Sequence, residues 1–244
     1  MPKILITGAS SGFGLATAKL FLDKGWEVVA TMRTPQAHTM PVHDRLQVLA
    51  LDVTDAASIA QAVAGAGAIN ALVNNAGVGM LNVLEGVDIA KARELFETNV
   101  LGTIAMTQAI LPGMRARQAG VIVNISSSVT LRPFAALSVY SASKAAINAF
   151  TESLALETTQ FGIRTRLVLP GSAPTTAFGK NAVARMGMNV PVPYEAFVQD
   201  CFEALHSSTE TTEADDVAQV VWRAVTEPEA PMRLPAGADR KSVV

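Results

Sequence analysis

Short apolar runs alternate with helix-like segments along this chain of 244 residues. The runs have the length and continuous hydrophobicity of strands that are buried on both faces, as in a parallel sheet. Strands that alternate with helices predict an α/β fold, a doubly wound parallel sheet with helices on both faces. The predicted strands are Ile4–Thr7, Glu27–Met32, Leu46–Leu51, Ala71–Asn74, Gly120–Ile125 and Arg164–Leu169, with a last strand around Met232–Leu234.

The helix-like segments belong to a single domain, because no linker rich in Pro, Gly or Ser divides residues 1–244. Asp88 and Asp215 are placed as N-terminal caps, and Gly162 is placed as the residue that stops a helix. The predicted helices are Gly14–Lys24, Ser58–Ala64, Asp88–Arg117, Val139–Thr159 and Ala214–Val225.

One stretch, residues 172–212, interrupts this alternation. Its prolines, its Met-Gly-Met triplet and its aromatic residues predict short helices at most. A long irregular stretch in a compact domain is typical of a lid or binding loop, so we interpret it as a cover over the substrate. The alternative is that its Met and aromatic side chains complete the core. Candidates for an apolar pocket are Val78, Met80, Val129, Phe134, Phe178 and Met186.

Composition argues against several classes of protein. With a net charge of −2 and a pI near 5.9, the chain has no basic stripe that could follow a nucleic-acid backbone. Cys201 is the only cysteine, and His38, His43 and His206 lack the spacing of metal ligands. The sequence shows neither a signal peptide nor an apolar run of about 18 residues. We therefore expect a cytoplasmic protein that has no metal site and binds neither nucleic acid nor a membrane.

A glycine-rich turn follows the first predicted strand and opens the first predicted helix. Glycine lets a backbone turn sharply and approach a pyrophosphate, whose charge is met by the free amides at a helix N-terminus. A tight turn without a ligand is the alternative, but the position after the first strand favours dinucleotide binding. The candidate residues are Gly8, Ser10, Ser11, Gly12, Phe13 and Gly14.

The end of the second predicted strand bears on which dinucleotide is bound. Folds of this type that bind NAD usually place Asp or Glu there, whereas this chain has Arg33. A guanidinium pairs well with the 2′-phosphate of NADP, so we predict NADP(H) in preference to NAD(H), unless Arg33 is an ordinary surface charge. Asp52, after the third strand, could bind the adenine amino group while Val53 packs on the ring, or it could cap the next turn.

Tyr140 and Lys144 lie four residues apart in a predicted helix, so their side chains share one face. There the ammonium could favour the ionised form of a phenol that otherwise titrates near ~10. A Tyr and a Lys one turn apart also occur on solvated helix faces. Whether this pair has a catalytic role therefore depends on the residues that accompany it.

Other candidate polar residues lie at predicted strand ends and, in one case, within a predicted helix. Ser127 follows the fifth strand, at the sheet edge where ligands of such folds bind, or it lies in an ordinary turn. Asn99 stands in mid-helix, where it lowers helix stability; it marks either a retained polar site or a simple hydrogen bond between a helix and a strand. A wall beside the cofactor's ribose is predicted from Asn75, Ala76 and Gly77.

In order and spacing, these segments resemble the short-chain dehydrogenase/reductase family in its classical subfamily. The resemblance covers roughly residues 3–176 and implies a single-domain Rossmann fold. It also implies an oxidoreductase that transfers a hydride between C4 of a nicotinamide and a carbonyl or alcohol carbon. The matching motifs are Thr7-Gly-x-x-x-Gly-x-Gly14, Asp52, Asn74-Asn-Ala-Gly77, Asn99, Ser127, Tyr140-x-x-x-Lys144 and Pro170-Gly171.

The resemblance implies roles for four side chains. Tyr140 would be the general acid in carbonyl reduction or the base in alcohol oxidation, and Ser127 would hold the substrate oxygen. Lys144 would lower the pKa of the phenol and bind the nicotinamide ribose, while Asn99 would hold a water that links Lys144 to solvent. Ser128 is the alternative to Ser127, because three serines are consecutive.

The resemblance also extends the cofactor-binding set, in which Tyr140 and Lys144 are included. Ser11 and Arg33 would bind the 2′-phosphate of NADP. Residues after the sixth strand would surround the nicotinamide: Pro170, Gly171 and Ala173 along the ring and Thr175 at the carboxamide.

We therefore predict an NADP(H)-dependent carbonyl reductase or alcohol dehydrogenase that acts on a fairly apolar small molecule. The alternatives are an NAD-dependent dehydrogenase of the same family and a dinucleotide-sensing protein without catalysis, which would usually lack the Tyr or the Lys. The family also implies a homodimer or homotetramer built on helices Asp88–Arg117 and Val139–Thr159, unless one subunit covers their apolar stripes itself.

Overall fold

A parallel sheet lies at the centre of this computed structural model, which describes residues 1–35, 40–173, 190–207 and 211–237. Its seven strands follow the order β3-β2-β1-β4-β5-β6-β7, and every neighbouring pair is parallel. The order reverses between β1 and β4, which is where ligands bind in sheets of this kind. The predicted α/β fold is confirmed. The strands are β1 (Lys3–Ile6), β2 (Glu27–Met32), β3 (Leu46–Ala50), β4 (Ala71–Asn74), β5 (Gly120–Ile125), β6 (Ile163–Pro170) and β7 (Arg233–Ala236).

Helices cover both faces of the sheet, as the apolar strands require. Ile4 and Ile6 pack in one core cluster together with Phe21, whereas Leu5 packs in a second cluster with Met106. Neighbouring residues of a strand point to opposite faces, so β1 is buried from both sides. The helices are α1 (Gly12–Asp23), α2 (Ala56–Ala66), α3 (Ile89–Phe96), α4 (Gly102–Arg117), α5 (Ser138–Thr158), α6 (Glu195–Ser207) and α7 (Ala214–Thr226).

The two predicted N-terminal caps have different outcomes. Asp88 caps α3 as expected, since its carboxylate accepts a hydrogen bond of 2.8 Å from the Ala90 amide. Asp215 is not a cap, because α7 begins at Ala214, as predicted, and Glu213 occupies the N-cap position. There the carboxylate of Asp216 accepts a hydrogen bond of 3.1 Å from the Glu213 amide. Asp215 instead lies in the first helical turn, where negative charge favours the positive end of the helix dipole.

Two other helix ends show how capping sets length. Helix α2 is longer than predicted, because Asp55 accepts hydrogen bonds from the amides of Ala57 and Ser58 and so starts the helix early. Helix α5 passes into a 3₁₀ turn at Thr159–Phe161 and stops at Gly162, as predicted. The φ of Gly162 is +65°, a left-handed conformation that favours glycine.

The segment predicted as one helix over Asp88–Arg117 is interrupted. Five residues, Glu97–Leu101, form a π-helical turn between α3 and α4. Asn99 lies in this wider turn, and the Thr103 hydroxyl donates a hydrogen bond of 2.9 Å to the Asn99 carbonyl oxygen. Apolar periodicity averages over a long window and does not reveal one extra residue within it. Turns of this kind often occur at functional sites.

The stretch interpreted as a cover contains more regular structure than predicted. Helix α6 has 13 residues, so the expectation of short helices at most is wrong. The ends of the stretch are joined to each other, since the Thr212 amide donates to the Ser172 carbonyl oxygen at 2.7 Å. The predictions for Thr175, Phe178 and Met186 lie outside the described residues.

In the described part of the chain, no helix is both long and apolar enough to cross a membrane. Within the same residues, no three His, Cys, Asp or Glu side chains are grouped as metal ligands.

Candidate active site

The carboxyl edge of the sheet brings the candidate site residues together. The glycine-rich turn follows β1, the Asn75–Gly77 turn follows β4, and Ser127 follows β5. Helix α5 carries Tyr140 and Lys144 past the same edge, and β6 ends at Pro170. This arrangement follows from topology, because all strands of a parallel sheet end on the same side.

The turn between β1 and α1 can be made only with glycine at two positions. A Cβ atom on Gly8, whose φ is +68°, would lie 2.8 Å from the Ala76 Cα atom. A Cβ atom on Gly14 would lie 2.5 Å from the Gly8 carbonyl oxygen and 2.6 Å from Nδ2 of Asn75. The first turn of α1 is therefore packed directly against the loop that follows β4.

Side-chain hydrogen bonds hold these two turns together. Thr7 Oγ1 accepts hydrogen bonds of 2.9 Å from the amides of Asn75 and Ala76. In return, Nδ2 of Asn75 donates to the carbonyl oxygens of Thr7 and Gly8, both at 2.9 Å. Asn75, predicted as part of the wall beside a ribose, thus fixes the shape of the glycine-rich turn. Thr7 was named in the glycine-rich motif but was given no role of its own; the structure shows that its hydroxyl joins the two turns.

The N-terminus of α1 suits an anion. Ser11 occupies the N-cap position, but its side chain makes no capping hydrogen bond, and no acidic residue lies in the first helical turn. The positive end of the helix dipole is thus not neutralised by a carboxylate of its own turn. Of the neighbouring candidates, Ser10 is exposed and Phe13 packs against the core. These residues fit the pyrophosphate of a dinucleotide.

Arg33 and Asp52 lie just after the ends of β2 and β3, and the positive charge of Arg33 acts on Asp52. Asp52 Oδ1 accepts hydrogen bonds from the Thr54 amide at 2.9 Å and the Thr54 hydroxyl at 2.7 Å. These bonds lower the pKa of Asp52, and the charge of Arg33 adds to the effect. The turn-capping role left open for Asp52 is thus present. Val53 is buried against Gly102, whose Cβ would lie 2.7 Å from Val53 Cγ2.

Tyr140, Lys144 and Ser127 form a buried polar group. Tyr140 and Lys144 are buried, with 7% and 6% of their surface exposed. Tyr140 and Ser127 are joined by a side-chain hydrogen bond. Lys144 Nζ donates a hydrogen bond of 3.0 Å to the carbonyl oxygen of Ile125 and lies 5.8 Å from the centroid of the Tyr140 ring. The strand end thus holds the ammonium beside the phenol.

Burial shifts both titrating groups towards their neutral forms. It raises the pKa of the Tyr140 phenol above its ordinary value, and the hydrogen bond with Ser127 acts in the opposite direction. It lowers the pKa of Lys144 to about 8. The net shift at Tyr140 is upward, whereas the resemblance implied a phenol with a lowered pKa. In this structure the phenol is therefore a protonated group that can donate a proton.

Asn99 reaches from the π-helical turn to the loop after β4. Its Oδ1 accepts a hydrogen bond of 2.8 Å from the Val78 amide, and its Nδ2 donates to the Val78 carbonyl oxygen at 2.9 Å. Nδ2 also lies 3.2 Å from the Ser143 hydroxyl, which donates to the Tyr140 carbonyl oxygen at 2.7 Å. A Cβ on Gly77 would lie 3.3 Å from Asn99 Oδ1 and 3.6 Å from Lys144 Nζ, so Gly77 lies beside both side chains.

A family model described as short chain dehydrogenase matches residues 2–186. The chain belongs to the short-chain dehydrogenase/reductase family. The match covers the glycine-rich turn, the Asn99 turn and the Ser127–Tyr140–Lys144 group whose geometry is given above. The resemblance on which the site prediction rested is thereby confirmed.

Relatives of this dehydrogenase extend over most of its length. It is 37% identical over 237 residues to the uncharacterised oxidoreductase YusZ of Bacillus subtilis. The alignment covers 91% of this chain and 84% of the relative. A solved short-chain dehydrogenase from Streptomyces avermitilis is 33% identical with a TM-score of 0.86, over 100% of this chain and 90% of that one.

Solved relatives hold either nicotinamide dinucleotide. A serine dehydrogenase solved in its closed form with NADP⁺ is 27% identical, with a TM-score of 0.81 over 96% of this chain and 93% of that one. A short-chain dehydrogenase/reductase from Burkholderia phymatum solved with NAD is 25% identical, with a TM-score of 0.81 over 95% and 88%. The family therefore establishes an oxidoreductase that uses a nicotinamide cofactor, but not which of the two.

Apolar side chains pack on one side of the candidate catalytic residue Tyr140. Met80, Leu95 and Tyr140 form a buried cluster against which Val78 and Val129 pack. Three of the predicted pocket residues are thus brought to the phenol, and Leu95 is an addition from α3. Phe134, a fourth predicted pocket residue, is 41% exposed, and the guanidinium of Arg132 lies 5.7 Å from its ring centroid.

Proposed function

We propose that this dehydrogenase is an NADP(H)-dependent enzyme that interconverts a carbonyl and a secondary alcohol on a small, largely apolar molecule. The observation that carries the proposal is the hydrogen-bonded pair Ser127 and Tyr140, buried beside Lys144 at the sheet edge. At the same edge, α1 presents an N-terminus that fits a pyrophosphate. A general acid and an anion site in one crevice support a dinucleotide-dependent reduction.

The bound dinucleotide would supply a hydride from C4 of its nicotinamide. Its phosphates would meet the turn after β1, and Asn75 would keep that turn in place through its bonds to Thr7 and Gly8. Lys144 and Tyr140 would face the nicotinamide ribose. The full proposed set is Gly8, Ser10, Ser11, Gly12, Phe13, Gly14, Arg33, Asp52, Val53, Asn75, Ala76, Gly77, Tyr140, Lys144, Pro170, Gly171, Ala173 and Thr175.

Arg33 supports NADP(H) over NAD(H). It is exposed directly after β2, where a carboxylate that binds ribose hydroxyls would otherwise stand. With Ser11, whose side chain does not cap α1, it would bind the 2′-phosphate. The Asp52 carboxylate accepts two hydrogen bonds from Thr54, which fix its position. The Arg33 guanidinium is therefore not the main partner of this carboxylate and can bind a phosphate.

The catalytic step assigns one task to each side chain. Ser127 and Tyr140 would both hydrogen-bond the carbonyl oxygen, and Tyr140 would transfer its proton to that oxygen as the carbon accepts the hydride. The raised pKa of Tyr140 keeps the phenol protonated before this step. The Lys144 ammonium would then stabilise the phenolate, which regains a proton from solvent through a water near Asn99.

The surroundings of Tyr140 support an apolar substrate. The buried cluster of Met80, Leu95 and neighbouring valines gives the phenol an apolar wall. We further propose that residues 172–212 cover the substrate and that α4 and α5 form a homodimer or homotetramer.

The proposal is tested by following NADPH absorbance with a panel of ketones, aldehydes and quinones. Turnover by the unmodified enzyme together with its loss in Tyr140→Phe is the expected result. If no compound of the panel is reduced although NADPH binds, the protein is better explained as a dinucleotide sensor. Faster turnover with NADH than with NADPH would contradict the cofactor assignment.

A further inference from the structure

Asn148 is a buried polar residue that the catalytic scheme above does not use. It follows Lys144 by one helical turn and Tyr140 by two, so the three side chains share one face of α5. Its carboxamide is bonded at both ends. Oδ1 accepts a hydrogen bond of 2.5 Å from the Ser126 hydroxyl, and Nδ2 donates one of 2.9 Å to the Thr130 hydroxyl.

The two partners of Asn148 lie on either side of Ser127. The Thr130 hydroxyl donates in turn to the Ser127 carbonyl oxygen at 2.8 Å. The Ser126 hydroxyl also lies 3.3 Å from the Lys144 carbonyl oxygen, but its proton is directed to the nearer Asn148 Oδ1. A continuous chain of donors therefore runs from Asn148 through Thr130 to the backbone of Ser127.

The direction of these hydrogen bonds determines which type of side chain position 148 requires. Thr130 has one hydroxyl proton, and Ser127 accepts it, so position 148 must donate to Thr130. Ser126 donates its own proton, so position 148 must also accept. A carboxamide satisfies both requirements, whereas a carboxylate can accept twice but cannot donate.

We propose that Asn148 is a positioning residue that holds Ser127 at hydrogen-bonding distance from Tyr140. The proposal rests on the function assigned to that pair. Tyr140 moves with α5, whereas Ser127 moves with the segment after β5, and Asn148 ties that segment to the helix on both sides of Ser127. A displacement of about 1 Å at a reacting group can reduce rate by about 100-fold.

Thr151 provides a matched control. It lies one turn beyond Asn148 on α5, is fully buried, and accepts a hydrogen bond of 2.8 Å from Nδ2 of Asn124 on β5. Thr151→Val therefore also removes a buried hydrogen bond between α5 and β5, but one that does not reach Ser127. Its effect measures the purely structural cost of such a loss.

The experiment compares Asn148→Leu with Thr151→Val in kcat, KM, NADPH affinity and melting temperature. We expect Asn148→Leu to lower kcat by about 10- to 100-fold with little change in KM and in NADPH binding. Thr151→Val should lose a similar amount of stability and keep its kcat within about twofold. Equal kcat in the two variants would overturn the proposal.

Thr130 gives a second test should Asn148→Leu fail to fold. Thr130→Val breaks the chain between Asn148 and Ser127, whereas Thr130→Ser keeps the hydroxyl. We expect Thr130→Val to reproduce most of the loss in kcat and Thr130→Ser to retain near-normal kcat. Similar kcat in both Thr130 variants would also contradict the proposal.

A readout without turnover separates this proposal from the proposed function. The chain has two tyrosines, so Tyr140 is the only one left in a Tyr194→Phe background. In that background the ¹³Cζ resonance of labelled Tyr140 reports hydrogen bonding at the phenol. We expect it to shift in Asn148→Leu and Thr130→Val but not in Thr151→Val. An unchanged resonance in all variants refutes the positioning role, whether or not any substrate has been found.

Discussion

The two ends of the candidate site, the turn between β1 and α1 and the surroundings of Tyr140, owe their geometry to different features. At the turn between β1 and α1, the geometry depends on side chains that are missing, since a Cβ on Gly14 would meet the Gly8 carbonyl oxygen at 2.5 Å. Around Tyr140, it depends on side chains that are present, since Ser127, Ser143 and Lys144 are all hydrogen-bonded.

This difference separates the two proposed roles, cofactor binding and proton transfer. Adding one carbon to the turn after β1 displaces backbone and so would alter the proposed phosphate site. Removing one hydroxyl from the proposed catalytic group leaves its shape nearly intact but removes a proton or a hydrogen bond. Substitutions at the two ends should therefore affect different measured quantities.

The largest expected effect is on chemistry alone. Tyr140→Phe should lower kcat by about 10³-fold, because the general acid is lost while the ring still packs against Met80 and Leu95. Its NADPH dissociation constant, measured by fluorescence titration, should stay within about threefold. Thr151→Val, which removes a buried hydroxyl of α5 that does not reach Ser127, serves as the control with near-normal turnover. Weak NADPH binding by Tyr140→Phe would show that the two ends are not separable.

At the other end, Gly14→Ala should act on binding first. The added Cβ must displace the Gly8 carbonyl oxygen or Nδ2 of Asn75, so we expect NADPH affinity to fall by about 100-fold. The matched control is Gly65→Ala in α2, where a Cβ would make an ordinary contact of 3.5 Å with Leu49. That variant should bind NADPH normally and gain up to about 1 kcal/mol in stability. Unchanged NADPH affinity in Gly14→Ala would remove the steric account of this turn.

The pH dependence of stability sharpens the description of the catalytic end. Burial lowers the pKa of Lys144 to about 8, below its ordinary value of 10.5. Between these values the unfolded chain binds the proton and the folded chain does not, so stability rises as pH increases. Relative to Lys144→Met, the unmodified protein without cofactor should gain up to about 3 kcal/mol between pH 8 and 10.5.

Urea unfolding of both proteins at several pH values measures this difference. Tyr140 ionises only above this range in the folded protein, because its pKa is raised, and it is present in both proteins. A constant stability difference from pH 7 to pH 10 would mean that Lys144 is not deprived of solvent as the structure indicates.

The smallest expected effect concerns the exposed arginine at the binding end. Arg33→Asp should shift the preference for NADPH over NADH by about tenfold or more towards NADH, since it replaces a phosphate ligand with a ribose ligand. Dissociation constants for NADPH and NADH, measured for both proteins, test this shift in preference. High salt should weaken NADPH binding to the unmodified protein alone. An unaltered ratio would show that Arg33 takes no part in the choice.

Local patterns in the sequence were sufficient for the sheet, whereas the site residues were predicted from the family resemblance and stay a prediction. The alternation of apolar runs predicted β1 to β7 because each run records its own burial, and the Tyr140–Lys144 spacing predicted a shared helix face because one turn is a local property. Asp215 was misplaced as a cap because capping depends on where the helix begins, within one or two residues.

The sequence by itself determined which residues could turn, cap and react: glycines after β1, a phenol and an amine one turn apart, and a serine at a strand end. The tertiary structure alone decided how these parts are held. Asn75 bonds Gly8 from 67 residues away, and Asn148 bonds Ser126 from 22 residues away. Such pairings depend on how helices and strands dock, and neither apolar periodicity nor motif spacing encodes that register. The lowered pKa of Lys144 has the same origin, because burial is a property of the packed molecule.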